Sequence, residues 1–252
     1  MSSRSAIRSV LQKVSLINGR ISSHIVSESW SRLQDRLSVA DRLIDLGSGA
    51  NPHPRAFVAV DAFMKPLHRN LCHGPEINSE SFKGKGVHFV QADLADLPFA
   101  DKAFDFAYSR HVFEHLADPK RTCSEVCRIA QRGAIVTPSI FAEIAFGRPY
   151  HRWFVIARGK TLIFIRKMLQ DNQPFGEHPV PKKGGGYKVT KQTNPFDILL
   201  NEGRWYQGNE SMPRLSRLLS QYWGSHASVM EVVFLWEGSF DCVVIEGDGR
   251  LE

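Results

Sequence analysis

The stretch Arg42-Leu43-Ile44-Asp45-Leu46-Gly47-Ser48-Gly49-Ala50-Asn51-Pro52, with Phe57-Val58-Ala59-Val60-Asp61 close behind it, decides how this chain reads. Leu43 to Leu46 is a short apolar run that breaks into glycines, and Phe57 to Val60 is a second run that ends on an acid. Short apolar runs bounded by turn residues fit strands covered on both faces of a parallel sheet. Glycines at the end of such a strand let backbone approach a ligand closely and accept positive φ. A carboxylate at the tip of the next strand can accept hydrogen bonds from both hydroxyls of a ribose. The pattern describes a site for an adenosine-containing cofactor, and equally a strand end with a glycine turn that holds no ligand.

Two nucleotide readings fail on spacing. The third glycine of G-x-G-x-x-G would fall on Pro52, which cannot supply close helix-to-strand packing. Asp61 also arrives sooner than the roughly 20 residues expected of a dinucleotide site. No Gly-Lys-Ser/Thr follows the turn, so a P-loop is excluded. S-adenosylmethionine (SAM), with a cationic sulfonium and no phosphate, fits what remains, and Asp45 would then face the ammonium of its methionine part. Only Ala50 to Val60 separates Gly49 from Asp61, and Pro52 and Pro54 lie within it. A parallel crossover normally needs a dozen or more residues, usually with a helix. The first crossover is therefore expected to be a turn or short loop, with little helix dipole to hold a carboxylate.

Working outward, Val87 to Gln91 reads as a third strand, ending in Ala92-Asp93-Leu94 and then Leu97-Pro98-Phe99. Phe104 to Ser109 reads as a fourth, followed by Arg110-His111-Val112-Phe113-Glu114-His115-Leu116. The ordered series L-I-D-L-G-S-G, V-D, Q-A-D-L-x-x-L-P-F, F-D-F-A-Y-S and H-V-F-E-H-L-x-D-P resembles the class I SAM-dependent methyltransferases. It looks closest to the branch that methylates small molecules, lipid precursors and saccharides, and it covers roughly Arg42 to Ser139.

The resemblance implies roles position by position. Asp45, Gly47, Ser48 and Gly49 would line the methionine end of the cofactor. Asp61 would bind the ribose hydroxyls, with Ala62 and Phe63 flanking the adenine. Asp93 would accept from the adenine amino group, with the Leu94 backbone nearby. Ser109 and Arg110 would close over the methionine tail, with His111 beside them. If the segment after the fourth strand is helical, His115 lies one turn further on, where the family approaches the reacting methyl. Asn51 stands where the family often has a third glycine, and asparagine enters the left-handed region more readily than most residues.

Pro119 to Gln131 reads as a helix with Val126 and Ile129 turned inward, and Gly133 to Pro138 as a fifth strand. Near the far end, Ser228 to Trp236 and Phe240 to Glu246 are apolar runs joined by Glu237-Gly238-Ser239, a hairpin signature. A closing hairpin is the resembled family's usual ending. The expected fold is thus one α/β domain over 1–252: a Rossmann-like, doubly wound, seven-stranded sheet with an antiparallel last strand. Residues 1–40 form an N-terminal helical segment in this reading, and 140–227 an insertion after strand five, too long for an ordinary crossover, that selects the substrate. Within it, Trp153 to Ala157 and Thr161 to Ile165 suggest a hairpin around Arg158-Gly159-Lys160. Pro181 to Lys188 is a glycine-rich basic loop. Tyr150, His151 and Trp153 either form an aromatic wall over the acceptor or pack the insertion against the sheet.

Composition agrees with a globular enzyme: 42% hydrophobic and 23% charged residues, and no apolar run near the roughly 18 residues of a membrane span. Cys72, Cys123, Cys127 and Cys242 contain no C-x-x-C pair, and Cys123 and Cys127 share a helix face suited to core packing. No metal site is expected, and a reduced cytoplasmic setting is the default. Met1 to Ser27 carries Arg4, Arg8, Lys13 and Arg20 with no acid before Glu28. That suits an amphipathic helix with Ile7, Val10, Leu11, Val14 and Ile17 on one side, or a mitochondrial leader. The net charge of +6 and pI near 9.2 fit an anionic small molecule or a lipid surface as an acceptor's setting. Basic residues are scattered apart from Lys182 to Lys191, which disfavours nucleic acid. RNA methylation and a SAM-binding protein without catalysis are the alternatives. Methyl transfer is an in-line displacement driven by alignment and water exclusion. An oxygen acceptor usually needs a base, for which His111, His115 and His151 are the candidates. Glu114 is expected to face away or to cap a helix.

Overall fold

The computed structural model describes residues 30–62, 77–146, 151–167 and 227–246. A first helix, α1, covers residues 30–38. Strands β1 (Leu43–Leu46), β2 (Ala56–Asp61), β3 (His88–Gln91), β4 (Phe104–Arg110) and β5 (Ala130–Pro138) follow, with helix α2 (Pro119–Ile129) between β4 and β5. Beyond β5 come α3 (Ile140–Phe146), β6 (Trp153–Arg158), β7 (Thr161–Arg166), a single turn α4 (Ala227–Met230), β8 (Glu231–Glu237) and β9 (Asp241–Ile245). The expected strands β1 to β5 all form, within a few residues of their expected ends.

The main sheet has the order β3-β2-β1-β4-β5-β8. The first five strands run parallel and β8 runs antiparallel to β5, with Ala134 opposite Leu235. Alternation along the strands feeds two cores. Leu43, Tyr108, Ala134 and Val136 pack with Leu33 and Leu37 of α1. Ile44, Leu46, Ala107 and Ile135 pack on the other face with Cys123, Val126 and Ile129 of α2. Covering both faces is what permits parallel strands this short and apolar. α2 starts with Asp118, whose side chain accepts from the Arg121 N–H at 3.0 Å, and with Pro119 in its first turn.

The main sheet has six strands among the described residues, and its last strand, β8, is the antiparallel one. Three expectations are corrected. β9 leaves the expected closing hairpin and pairs in parallel with β7 in a second sheet, β6-β7-β9. Pairing partners are chosen by tertiary packing: Phe164 and Val244 join the same core as Trp236. Asn51 does not take the left-handed conformation; Gly47 (φ +77°) and Gly49 (φ +59°) do. The segment after β4 is not an α-helix either. His111 itself is left-handed (φ +57°), and only a 3-10 turn, Phe113–His115, follows.

The first crossover is the short loop that the prolines implied. The β6–β7 hairpin forms as expected, with Gly159 at its turn (φ +60°). Among the described residues no helix is long and apolar enough to cross a membrane. The helix expected over 1–27, Phe63, Tyr150 and the loop expected at Pro181 to Lys188 lie outside the described residues.

Candidate functional site

Strand order reverses between β1 and β4, since β1 leads outward to β2 and β3 while β4 leads to β5. Crevices at such switch points, outside the carboxyl ends of the strands, are where open α/β sheets bind ligands. The turn after β1 is fastened there. The N–H groups of Gly47 and Ser48 both donate to the Val60 carbonyl, at 2.7 and 3.1 Å. A Cβ on Gly47 would lie 2.3 Å from Val112 Cγ2, so both the positive φ and the neighbour demand glycine. The Gly49 N–H donates to Asp61 Oδ2 at 3.0 Å, and Ser48 Oγ donates to the Gly49 carbonyl at 3.0 Å. Asp61 therefore closes the turn at the tip of β2.

Asp45 is buried, at 5% exposure, and its Oδ2 accepts from the His53 N–H at 2.7 Å. Burial pushes its carboxyl up to about 7; the His53 bond opposes that rise and the nearby Asp61 adds to it. No cation acts on Asp45 among the described residues. A desolvated carboxyl of this kind gains most from a cationic group brought to it, and SAM carries an ammonium. The donor set fits that cofactor: a buried acid without a cation, two left-handed glycines, and a second acid at the next strand tip.

The adenine-side candidates occupy the neighbouring strand ends. Ala62 is half-buried and its carbonyl accepts from Gln91 Nε2 at 3.1 Å. Asp93 is exposed, with Oδ1 accepting from the Ala95 N–H at 2.9 Å, while Leu94 is buried in the core. The Ala92 N–H donates to the Asp61 carbonyl at 3.3 Å, which ties the ends of β2 and β3 together.

At the end of β4 the picture divides. Buried Ser109 donates its hydroxyl to the Leu46 carbonyl at 2.9 Å, beside the glycine turn. Arg110 turns toward β8: its guanidinium pairs with Glu231 at 2.8 Å and lies over the Trp30 ring at 5.5 Å. β8 lies on the side of β4 opposite β1, so this arrangement does not bring Arg110 and the glycine turn together. His111 donates its N–H to the Val136 carbonyl at 2.8 Å, and its Nε2 lies 2.6 Å from the same Glu231. Burial would lower its pKa, but the carboxylates of Glu114 and Glu231 outweigh that and lift it to about 9. The raised value favours the protonated ring at neutral pH, a form that must give up its proton before it can act as a base.

The insertion supplies the third part. The Arg152 N–H donates to the Glu114 carbonyl at 2.7 Å, and Trp153 Nε1 donates to the Leu116 carbonyl at 2.7 Å. These bonds seat the β6 entrance on the 3-10 turn. Trp153, at 2% exposure, packs the insertion onto the sheet instead of walling a cavity. His151 is brought to His115, ring centroids 4.7 Å apart and planes at 89°. His151 Nδ1 hydrogen-bonds Glu143 Oε1, and Glu143 Oε2 takes the Lys167 ammonium at 2.6 Å. Glu114 neither faces away nor caps a helix. It is 1% exposed and lies 3.5 Å from His111 and 3.8 Å from His115.

Glu231, Glu143 and Lys167 were not picked out by sequence reasoning. Glu231 leaves one faint signal, an acid opening the apolar run Val232 to Trp236. Glu143 and Lys167 leave none, because their pairing depends on how α3 and β7 meet.

Residues 45–137 match the methyltransferase domain family. An uncharacterised methyltransferase of Mycobacterium sp. is 26% identical over 118 residues, which cover 46% of this chain and 44% of the relative. An uncharacterised protein of Methanocaldococcus jannaschii is 32% identical over 97 residues, covering 37% of this chain and 46% of its own length. Among solved structures, the YcgJ protein of Bacillus subtilis aligns at 26% identity with a TM-score of 0.33, over 42% of this chain and 50% of that one. The chain spans under half the length of these curated relatives.

Proposed function

We propose that this chain, whose residues 45–137 match the methyltransferase domain family, is a class I SAM-dependent methyltransferase that methylates a small-molecule, saccharide or lipid-type acceptor. The observation that carries the reading is the pair of buried acids bracketing a left-handed glycine turn at the switch point: Asp45, with no cation acting on it among the described residues, and Asp61, bound to the Gly49 N–H. SAM, when bound, supplies a methyl group on a sulfonium that is displaced in line by the acceptor.

The chain's own residues have separable tasks in this reading. Asp45 takes the ammonium and so orients the methionine end, while the Gly47–Gly49 backbone leaves room beside it. Asp61 accepts from the ribose hydroxyls and Asp93 from the adenine amino group. Ser109 holds the ends of β1 and β4 together through the Leu46 carbonyl, which fixes the spacing between Asp45 and the acceptor side. His111, protonated and locked between Glu114 and Glu231, contributes positive charge. His115, with His151 against it, stands at the acceptor end and is the group to take a hydroxyl proton. Residues 140–227 choose the acceptor, because the insertion delivers His151 to the turn that carries His115.

Calorimetric titration with SAM and with S-adenosylhomocysteine tests the cofactor half. Transfer of radiolabelled methyl into a metabolite extract, with total RNA as the parallel arm, tests the acceptor half. Label in the extract and none in RNA is the expected result. Label only in RNA would replace the acceptor class, and cofactor binding without label in either would leave a SAM-binding protein.

A further inference from the structure

Glu114 presents a buried carboxylate that makes no hydrogen bond among the described residues. The residue is 1% exposed, and neither Oε1 nor Oε2 has a hydrogen-bond partner among the described residues. Its neighbours at 3.5 and 3.8 Å are imidazole nitrogens of His111 and His115, beyond hydrogen-bond length. A carboxylate kept from water without hydrogen bonds is costly, and the His111 ring at 3.5 Å from Oε1, which is shared with Glu231, leaves Oε2 without a partner among the described residues. One ligand atom each from Glu114, His115 and His151 lies within 4.8 Å of the other two.

We propose that Glu114, His115 and His151 form a binding site for a divalent first-row transition ion of the zinc, cobalt, iron and manganese group. Two imidazoles and one carboxylate suit these ions, and three protein ligands leave positions open for an exogenous oxygen. Ligand atoms bonded to zinc at about 2.0–2.2 Å lie roughly 3.0–3.5 Å apart, so the widest separation in the cluster needs to close by up to about 1.3–1.8 Å. The surroundings are built for it. Glu143 at Nδ1 of His151 sets the tautomer with the lone pair on Nε2, the form that ligates a metal. Lys167 in turn holds Glu143 at 2.6 Å, and all three are at most 5% exposed. The Arg152 N–H bond to the Glu114 carbonyl fixes the approach of the two segments.

For the methyl transfer proposed above, and resting on that reading, an ion here changes the part of His115 from base to ligand. An acceptor hydroxyl bound at an open position would lose its proton more readily to solvent.

The test uses the full chain, stripped with a chelator and dialysed, with Co2+ followed by visible absorption and Zn2+ by calorimetry. It needs neither SAM nor turnover, so failure of methyl transfer would not bear on it. One ion per chain is expected, with cobalt bands of a nitrogen and oxygen site and a rise in Tm on adding Zn2+. Glu114→Gln, a neutral substitution of the same shape, and His151→Ala should each weaken binding by at least a hundredfold. Glu143→Gln, which acts through the orientation of His151, should weaken it by roughly ten- to a hundredfold. His88→Ala, on exposed β3, should leave it unchanged. No binding at millimolar Co2+ or Zn2+ would overturn the proposal. So would a Glu114→Gln protein that shifts Tm yet binds both ions as the parent does, because Glu114 would then serve only as the counter-charge of His111.

Discussion

Asp45→Asn separates the cost of the cofactor site from its use. The amide keeps an oxygen to accept the His53 N–H and removes only the charge. In the folded chain the Asp45 carboxyl is raised from 3.8 to about 7, first by burial. The folded state therefore binds a proton that the unfolded state has released throughout that interval. Stability must fall as pH rises from about 4 to about 7 and level off above, since ∂ΔG/∂pH follows the protons bound by the unfolded state minus those bound by the folded one. At about 1.4 kcal/mol per pH unit the full loss is on the order of 4 kcal/mol. The variant has no proton to lose. Urea unfolding of both proteins at pH 5, 6, 7 and 8 should show Asp45→Asn gaining on the parent as pH rises, by about 2–4 kcal/mol in total.

The same substitution should weaken SAM roughly ten- to a hundredfold, the worth of a bond to a charged group. Saturating SAM should flatten the parent's pH loss, because a bound ammonium favours the ionised carboxyl. All other titrating groups are common to both proteins, so the difference between them isolates Asp45. A gap that stays constant between pH 5 and pH 8 would mean that Asp45 is ionised throughout. Asp45 would then have no unmet need of a cation for SAM to supply.

Asp61→Ala should cost SAM binding about 1.5–3 kcal/mol or more by calorimetry, because one carboxylate serves both ribose hydroxyls. Asp93→Ala should cost less, and an equal loss would reverse the order of importance along the sheet edge. Gly47→Ala should lower stability by about 1–3 kcal/mol, from the positive φ and the 2.3 Å approach to Val112; an unchanged urea midpoint would show that the turn can relax. His111 is raised from 6.5 to about 9 by Glu114 and Glu231 against the effect of burial, so its contribution is intact below about pH 6.5 and is lost as pH climbs through 9. With the ring part-exposed, about 1–3 kcal/mol of pH-dependent stability should vanish in His111→Gln between pH 6.5 and 9.5, and an unaltered slope in unfolding experiments would remove the pairing.

The placement of the residues proposed for the cofactor was legible because each part is local. Leu43 to Leu46 and Phe57 to Val60 are apolar runs short enough to be strands, and Asp45, Gly47, Gly49 and Asp61 fall at their ends. Pro52 and Pro54 announced the missing crossover helix. The same logic misplaced Asn51, because Gly47 and Gly49 already provide the two left-handed residues the turn needs. It also misjudged the segment after β4. His111 takes a left-handed conformation that nothing in its neighbours along the chain requires. The Val136 carbonyl and Glu231, on β5 and β8, hold it there. A single histidine bending the chain at this point turns Glu114 inward, whereas an α-helical reading sent it outward.

β9 shows why the acceptor half could not be read in the same way. Its residues Asp241 to Ile245 alternate like a hairpin partner for β8, yet they pair with Thr161 to Ile165. That exchange anchors the β6–β7 hairpin: the Asp241 N–H donates to the Lys160 carbonyl at 2.9 Å, and Leu162, Phe164 and Val244 share one core with Trp153. The hairpin so fixed sets Arg152 against Glu114 and His151 against His115. Sequence distance thus sorts the two halves. Groups proposed for the cofactor lie on consecutive strand tips from Asp45 to Ser109, and the fold places them there whatever the insertion contains. Groups proposed for the acceptor end come from 114–115, 143, 151 and 167, and meet only when the second sheet has formed on the first. Loosening the β7–β9 pairing should therefore disperse His151 and Glu143 while Asp45 and Asp61 keep their partners, so that cofactor affinity survives a change that abolishes acceptor chemistry.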